Sequence, residues 1–157
     1  MEKRRYSHFI VSELRQAQVP TQMVERLKRQ RERGVWMESA HLLRLDDDAL
    51  KGSLYTDCVW IYEKRGQAPL ELEIGHDHDF DEVLGLVGTN RNDPYDLGGL
   101  IEFWIEDEKY MLTRSSLVFI PKGVRHCPLL LHEVRSPIFF FTTGNSTVYD
   151  RITGKEY

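Results

Sequence analysis

Only two cysteines occur in the 157 residues, Cys58 and Cys127, and no CxxC spacing accompanies either. That excludes a disulfide framework and a cysteine-built zinc knuckle, and reads as two buried or idle thiols. Long apolar runs are missing as well. No stretch approaches the roughly 18 apolar residues of a membrane span, and the opening MEKRRYSHFIVSELRQ lacks the apolar segment of a secretory signal. Both absences point to the cytoplasm and away from a membrane partner. Basic charge is in short supply, with 21 Lys and Arg against 25 Asp and Glu and a net charge of −4. Residues 1–35 nevertheless carry nine Lys and Arg against four Asp and Glu, so the acidity lies in the remainder. An acidic body argues against nucleic acid as a partner, because phosphate contacts need a basic patch. Internal repeats and low-complexity linkers are absent too, and the length suits one domain able to bury a core.

What is present divides near residue 54. From Thr21 to Arg33, TQMVERLKRQRER reads as a helix, with Thr21 as N-cap after Pro20, a short apolar stripe of Met23, Val24 and Leu27, and Gly34 as its stop. Its charged remainder is expected to be a solvated face. Residues 35–50, ending in Asp46-Asp47-Asp48, show no clear period. Strand signals begin at Leu54. LYTDCVWIYEK is rich in aromatic and β-branched residues, RGQAP is a turn, and LELEI alternates strictly, Leu70, Leu72 and Ile74 sharing one face. LIEFWI and YMLT, joined by EDEK, read as a hairpin, and LVFIP and IFFFTT as two further strands. About seven or eight strands without an intervening helix favour a β-sandwich or barrel over an α/β fold.

The phrase GHDHDFDEVLGLVG carries the chemistry. Residues two apart on a strand share a side, whereas on a helix they stand about 200° apart, so an extended chain aims His76 and His78 together. Both continue the even parity of Leu70, Leu72 and Ile74, which marks the interior. Glu82 lies beyond a turn at Asp79-Phe80-Asp81 and shares parity with Leu84 and Leu86, so it faces inward as well. A buried carboxylate is costly unless a cation stands beside it. Two imidazoles and a carboxylate form an N/O set suited to divalent transition metals, and a hydrophilic surface loop is the other reading. In VFIPKGVRHC a Pro-x-Gly turn follows an apolar strand, with His126 three residues after the glycine and 48 after His78.

H-x-H-x3-E followed by P-x-G-x2-H resembles the two motifs of the cupin superfamily, over about residues 54–143. The implied fold is mostly β, a small double-sheet jelly-roll barrel, preceded here by an N-terminal helical segment. The implied organisation is an extension over residues 1–53, packing on the barrel or a partner subunit, and a barrel over 54–157. By the resemblance His76, His78 and Glu82 are first-motif ligands, and His126 is the fourth. Departures mark a divergent member: Leu70 stands where the family has glycine, Gly88 comes one residue early, and Ser115 and Leu130 replace a glycine and an asparagine. The stretch DPYDLGG, EFW and EDEKY is similar to that of a group of small single-domain bacterial cupins.

The resemblance implies one divalent ion per chain, iron(II) first, then manganese, zinc, nickel, cobalt or copper. Four ligands leave one or two positions open, which suits an iron(II)-dependent dioxygenase, with isomerase or lyase chemistry next. The alternative is a non-catalytic ligand-binding or sensor protein with a structural metal. Asp77, Asp79 and Asp81 are near enough to accept from the ligand rings, although parity turns Asp77 outward. Cys127 is expected to point away from His126, and His8, His41 and His132 to be ordinary surface or packed residues. Trp60 and Tyr62 share one strand face, and Phe103 lies with Ile101 and Ile105. These three aromatics are the candidate pocket for a small-molecule substrate, with core or dimer packing as the competing use. Exposed strand edges and the N-terminal segment suggest a homodimer.

Overall fold

The computed structural model describes residues 4–14 and 19–154. A 3-10 turn at Ser7–Phe9 and helix α1 (Thr21–Glu32) precede nine strands among the described residues: β1 (Trp36–Leu45), β2 (Thr56–Arg65), β3 (Leu70–Glu73), β4 (Glu82–Gly88), β5 (Asp96–Ile105), β6 (Glu108–Arg114), β7 (Ser116–Ile120), β8 (His126–Val134) and β9 (Ile138–Gly144). They form two antiparallel sheets, ordered β1-β2-β9-β4-β7 and β3-β8-β5-β6. The inner faces of both close on a core in which Ile61, Leu86, Ile101, Phe103, Leu131 and Ile138 are no more than 1% exposed. The fold is the expected mostly β jelly-roll with one helix ahead of the strands. No helix among the described residues is long and apolar enough to cross a membrane.

Residues 36–45, which show no period in sequence, are a full strand. β1 pairs with β2 from Trp36↔Arg65 to Leu45↔Thr56, but bulges at Glu38/Ser39 and His41/Leu43 shift its side chains against a strict alternation. The five-stranded sheet therefore begins at Trp36, ahead of the boundary expected at residue 54. Of the remaining extension, residues 1–3 and 15–18 lie outside the described residues, and α1 packs on the barrel.

The packing of α1 departs from the apolar-stripe reading. Met23 and Leu27 reach the core, while Val24 is 51% exposed. Thr21 is the first helical residue, so the N-cap position falls on Pro20, with no side-chain cap. The anchors are polar. β3 is an edge strand, and edge strands leave backbone groups unpaired. Gln30 supplies both partners to Glu71, its Nε2 donating to the carbonyl at 3.0 Å and its Oε1 accepting from the amide at 2.8 Å. Arg26, only 7% exposed, donates to the Leu72 carbonyl at 3.0 Å. A residue that reads as solvated charge thus closes a sheet edge.

Candidate metal centre

Each of the four sequence-predicted metal ligands reaches the centre for a local reason. Past β3 the chain stays extended without joining a long ladder, and His76 pairs with His126 through two backbone hydrogen bonds of 3.0 and 2.9 Å. The parity set by Leu70 and Leu72 survives, so His76 and His78 are each 2% exposed. A bend at Asp79 and Phe80 leads to Glu82, the first residue of β4, also 2% exposed. His126 is delivered by the turn between β7 and β8. Gly123 there has a φ of +78°, a conformation that favours glycine, and its N–H donates to the His78 carbonyl at 2.9 Å. The turn of one motif is thereby pinned to the histidine of the other.

One ligand atom from each of His76, His78, Glu82 and His126 lies within 4.8 Å of the others. The ring orientations are fixed from behind by backbone carbonyls. Nδ1–H of His76 donates to Ile74 at 2.7 Å, that of His126 to Val124 at 3.1 Å, and that of His78 to Asp150. With Nδ1 protonated, each Nε2 presents a lone pair to the centre. A Glu82 carboxylate oxygen stands 3.1 Å from Nε2 of His126 and 3.5 Å from that of His78. Lone pairs facing a carboxylate at such distances repel, and Nε2 of both His78 and His126 is buried without a hydrogen-bond partner. A central cation turns every one of these contacts favourable. The donor set fits a borderline divalent ion, and its proton balance agrees. Burial would raise the Glu82 carboxyl, but in the ion-free chain a proton taken up on Nε2 of His126 or His78 donates to it, outweighs burial and holds it at about 2, the place a cation would take. Burial first, and then the Arg151 charge, lowers His76 to about 2.

The aspartates near the ligands serve elsewhere. Asp79 pairs with Lys122 at 2.5 Å, and Asp81 accepts the Lys122 amide at 2.9 Å and the Asn145 side chain at 3.1 Å. Asp77 turns away, as parity requires, and accepts from the Thr153 amide at 3.0 Å.

A cavity of about 270 Å³ opens onto His76, Glu82 and His126. Met23, Leu27, Met37, Val59 and Phe140 form its apolar wall, so α1 and β1 complete it. Its polar lining includes Tyr55, His41, Asp57, Glu73, Tyr149 and Arg151. The expected pocket aromatics are not in this wall. Trp60 and Tyr62 stack at 6.4 Å on the outer face of β2, because the inward positions of that strand are Asp57, Val59 and Ile61. Phe103 is filled into the core at 1% exposure. Cys127, expected to point away, lines the cavity beside His126, since a register shift and a φ of +65° break the alternation there. His41, read as ordinary, hydrogen-bonds Asp57 within the cavity wall.

Sequence reasoning missed Tyr149, Arg151 and Glu73. The Tyr149 hydroxyl is 3.2 Å from Nε2 of His76, Arg151 Nε donates to that hydroxyl at 3.0 Å, and Arg151 pairs with Glu73 at 2.7 Å. Tyr149 and Arg151 follow the last strand, where no periodicity marks them. Their common parity was the one available signal.

No family model matches the chain, and no curated protein does. Solved structures do match. Peruvianin-I, described as a cysteine peptidase from Thevetia peruviana latex, is 13% identical, with 96% of this chain and 80% of that chain covered and a TM-score of 0.52. The Clostridium difficile EutQ protein is 14% identical over 73% of this chain and 70% of that one, at a TM-score of 0.37. The DMSP lyase DddQ of Ruegeria pomeroyi is 12% identical over 76% of this chain, at 0.41, and the chain spans only 52% of that lyase. Two antiparallel sheets in jelly-roll order, with His76, His78, Glu82 and His126 converging at one point, give this chain the cupin fold.

Proposed function

We propose that the chain is a metal-dependent enzyme acting on a small organic molecule at one divalent ion held by His76, His78, Glu82 and His126. Iron(II) is the first candidate, ahead of manganese, zinc, nickel, cobalt and copper, and dioxygenase-type oxidation is the leading reaction, followed by isomerisation or elimination. One observation carries the reading: three carbonyl-tethered imidazoles and a buried carboxylate aim their lone pairs at a single point on a cavity wall. An ion bound there supplies Lewis acidity and, if redox-active, electrons. The chain's own residues orient the ligands, exclude water with the apolar wall and offer Tyr149 and Arg151 beside His76. A thiol mechanism has no support, because burial first, and then Glu73 and Glu82, pushes the Cys127 thiol well up, and burial and Asp57 raise Cys58.

A second reading, a ligand sensor with a structural metal, draws on the Asp150 carbonyl behind His78, which ties the segment after β9 to the centre. The deciding experiment is oxygen uptake and product formation by iron(II)-loaded protein on a panel of enolic and phenolic compounds. Turnover that disappears in His126→Ala is expected, and inertness with every metal in a folded, loaded protein overturns the enzyme reading. A homodimer belongs to the same proposal, on a new basis. α1 covers the β3 edge of its own sheet, whereas the outer face of the five-stranded sheet leaves Leu117 69% and Phe119 60% exposed, with Tyr62 and Val87 exposed on other strands of that sheet.

A further inference from the structure

Tyr149 stands beside the centre without belonging to the four-residue set. Its hydroxyl oxygen lies 3.2 Å from Nε2 of His76 and accepts from Arg151 Nε at 3.0 Å. Arg151 is 2% exposed and is fixed by Glu73 at 2.7 Å and by the Gly154 carbonyl at 3.1 Å. A phenol oxygen that accepts from an arginine keeps its own proton to donate. Within the chain the acceptor is Nε2 of His76, whose ring proton is committed on Nδ1 to Ile74. With that lone pair given to an ion at the centre, the hydroxyl would need another acceptor, since a buried donor left unmade is costly. Tyr149 lines the cavity, so the acceptor must come from there.

We propose that Tyr149 orients an oxygen-donor ligand at the metal centre by donating a hydrogen bond to the ligating oxygen, while the ligand's apolar remainder rests on Met23, Leu27, Met37, Val59 and Phe140. This deepens the metal-centre reading above and rests on it. The Glu73–Arg151 pair fixes the direction of the donor, because Arg151 occupies the other side of the phenol oxygen. The cavity's arginines are already engaged, Arg151 by Glu73 and Arg44 by Asp46 at 2.7 Å. The ligand class is therefore a small, largely apolar molecule with one or two ketone, enol or phenol oxygens for the metal, such as an enolisable diketone or a phenol, and not a diacid.

Acetylacetone, a small enolisable diketone, is the probe. Wild type and Tyr149→Phe are loaded with cobalt(II), their metal content is measured, and acetylacetone is titrated against the cobalt absorption bands. One ion per chain is expected in both, with acetylacetone bound about tenfold more weakly by Tyr149→Phe, the effect of one lost hydrogen bond. Equal affinities, or no response of the wild-type bands to acetylacetone, overturn the proposal. So does a variant that fails to hold cobalt, which makes Tyr149 a ligand or a structural residue. A measurement on the wild type alone keeps the question open to refutation if the variant does not fold. Loaded with iron(III), it should lack the intense visible band of a phenolate ligand, and the presence of that band rejects the orienting role. A wild type that takes up no metal removes the metal-centre reading itself, a result distinct from all of these.

Discussion

Two of the four candidate ligands have displaced proton affinities, which give the site a pH signature. In the metal-free protein His76 is lowered from 6.5 and Glu82 from 4.5, each to about 2. Below those ordinary values the unfolded chain binds protons that the folded chain refuses, so the unfolded state gains as the pH falls. Stability is fully present above about pH 6.5 and is lost in the acid direction, first through His76 and then through Glu82. Thermal unfolding of chelator-treated protein should therefore show Tm falling from neutral pH to about pH 4, and His76→Gln should lose less of it over the first part of that range. A Tm that is flat or rises toward acid contradicts the buried, neutral His76. These same residues were the most legible in the sequence. Strand parity places His76, His78 and Glu82, and the Pro121–Gly123 turn places His126, because both are local rules. Tyr149 and Arg151 were illegible because nothing local ties the chain after Gly144 to a histidine more than seventy residues away.

Among the elements, α1 shows where reading by residue class stops working. Its apolar stripe is short, and the edge groups it satisfies belong to β3, far along the chain, so neither Arg26 nor Gln30 carries a sequence mark of its use. Removing the two Gln30 hydrogen bonds should cost about 1–2 kcal/mol. Gln30→Ala is thus expected to lower Tm by roughly 5 °C in a chain of this size, and to loosen the cavity wall formed by Met23 and Leu27. Differential scanning calorimetry checks the first effect and hydrogen exchange across α1 the second. An unchanged Tm with unchanged protection rejects the edge-capping role. β1 was hidden for another reason. Its two bulges break the period on which strand recognition depends, yet the same bulges set His41 and Arg44 on the cavity side.

For the whole molecule, the five-stranded sheet presents an outer face that a solitary barrel leaves wet. Trp60 packs on Phe139 at 5.0 Å, and the Phe141 ring lies where a Cβ on Gly85 would be, 2.0 Å from its nearest atom, so the face is flat and apolar across β2, β9 and β4. Leu117 and Phe119 of the edge strand β7 extend it. A second copy turned by a two-fold axis would meet the same uncharged surface. Phe119→Glu should convert a dimer to a monomer in sedimentation equilibrium without disturbing metal uptake, and a wild type that sediments as a monomer at all concentrations rejects the interface.

The proposed chemistry depends on an ion at the point where four buried side chains converge. The direct measurement is metal content by atomic emission for the protein as isolated and after reconstitution, set beside Glu82→Gln and His126→Ala of verified fold. One divalent transition-metal ion per folded wild-type chain is predicted, with affinity reduced about a hundredfold or more in each variant, beyond what loss of a supporting partner produces. A folded wild type that neither carries nor takes up an ion, or variants that hold it as tightly, would contradict the account.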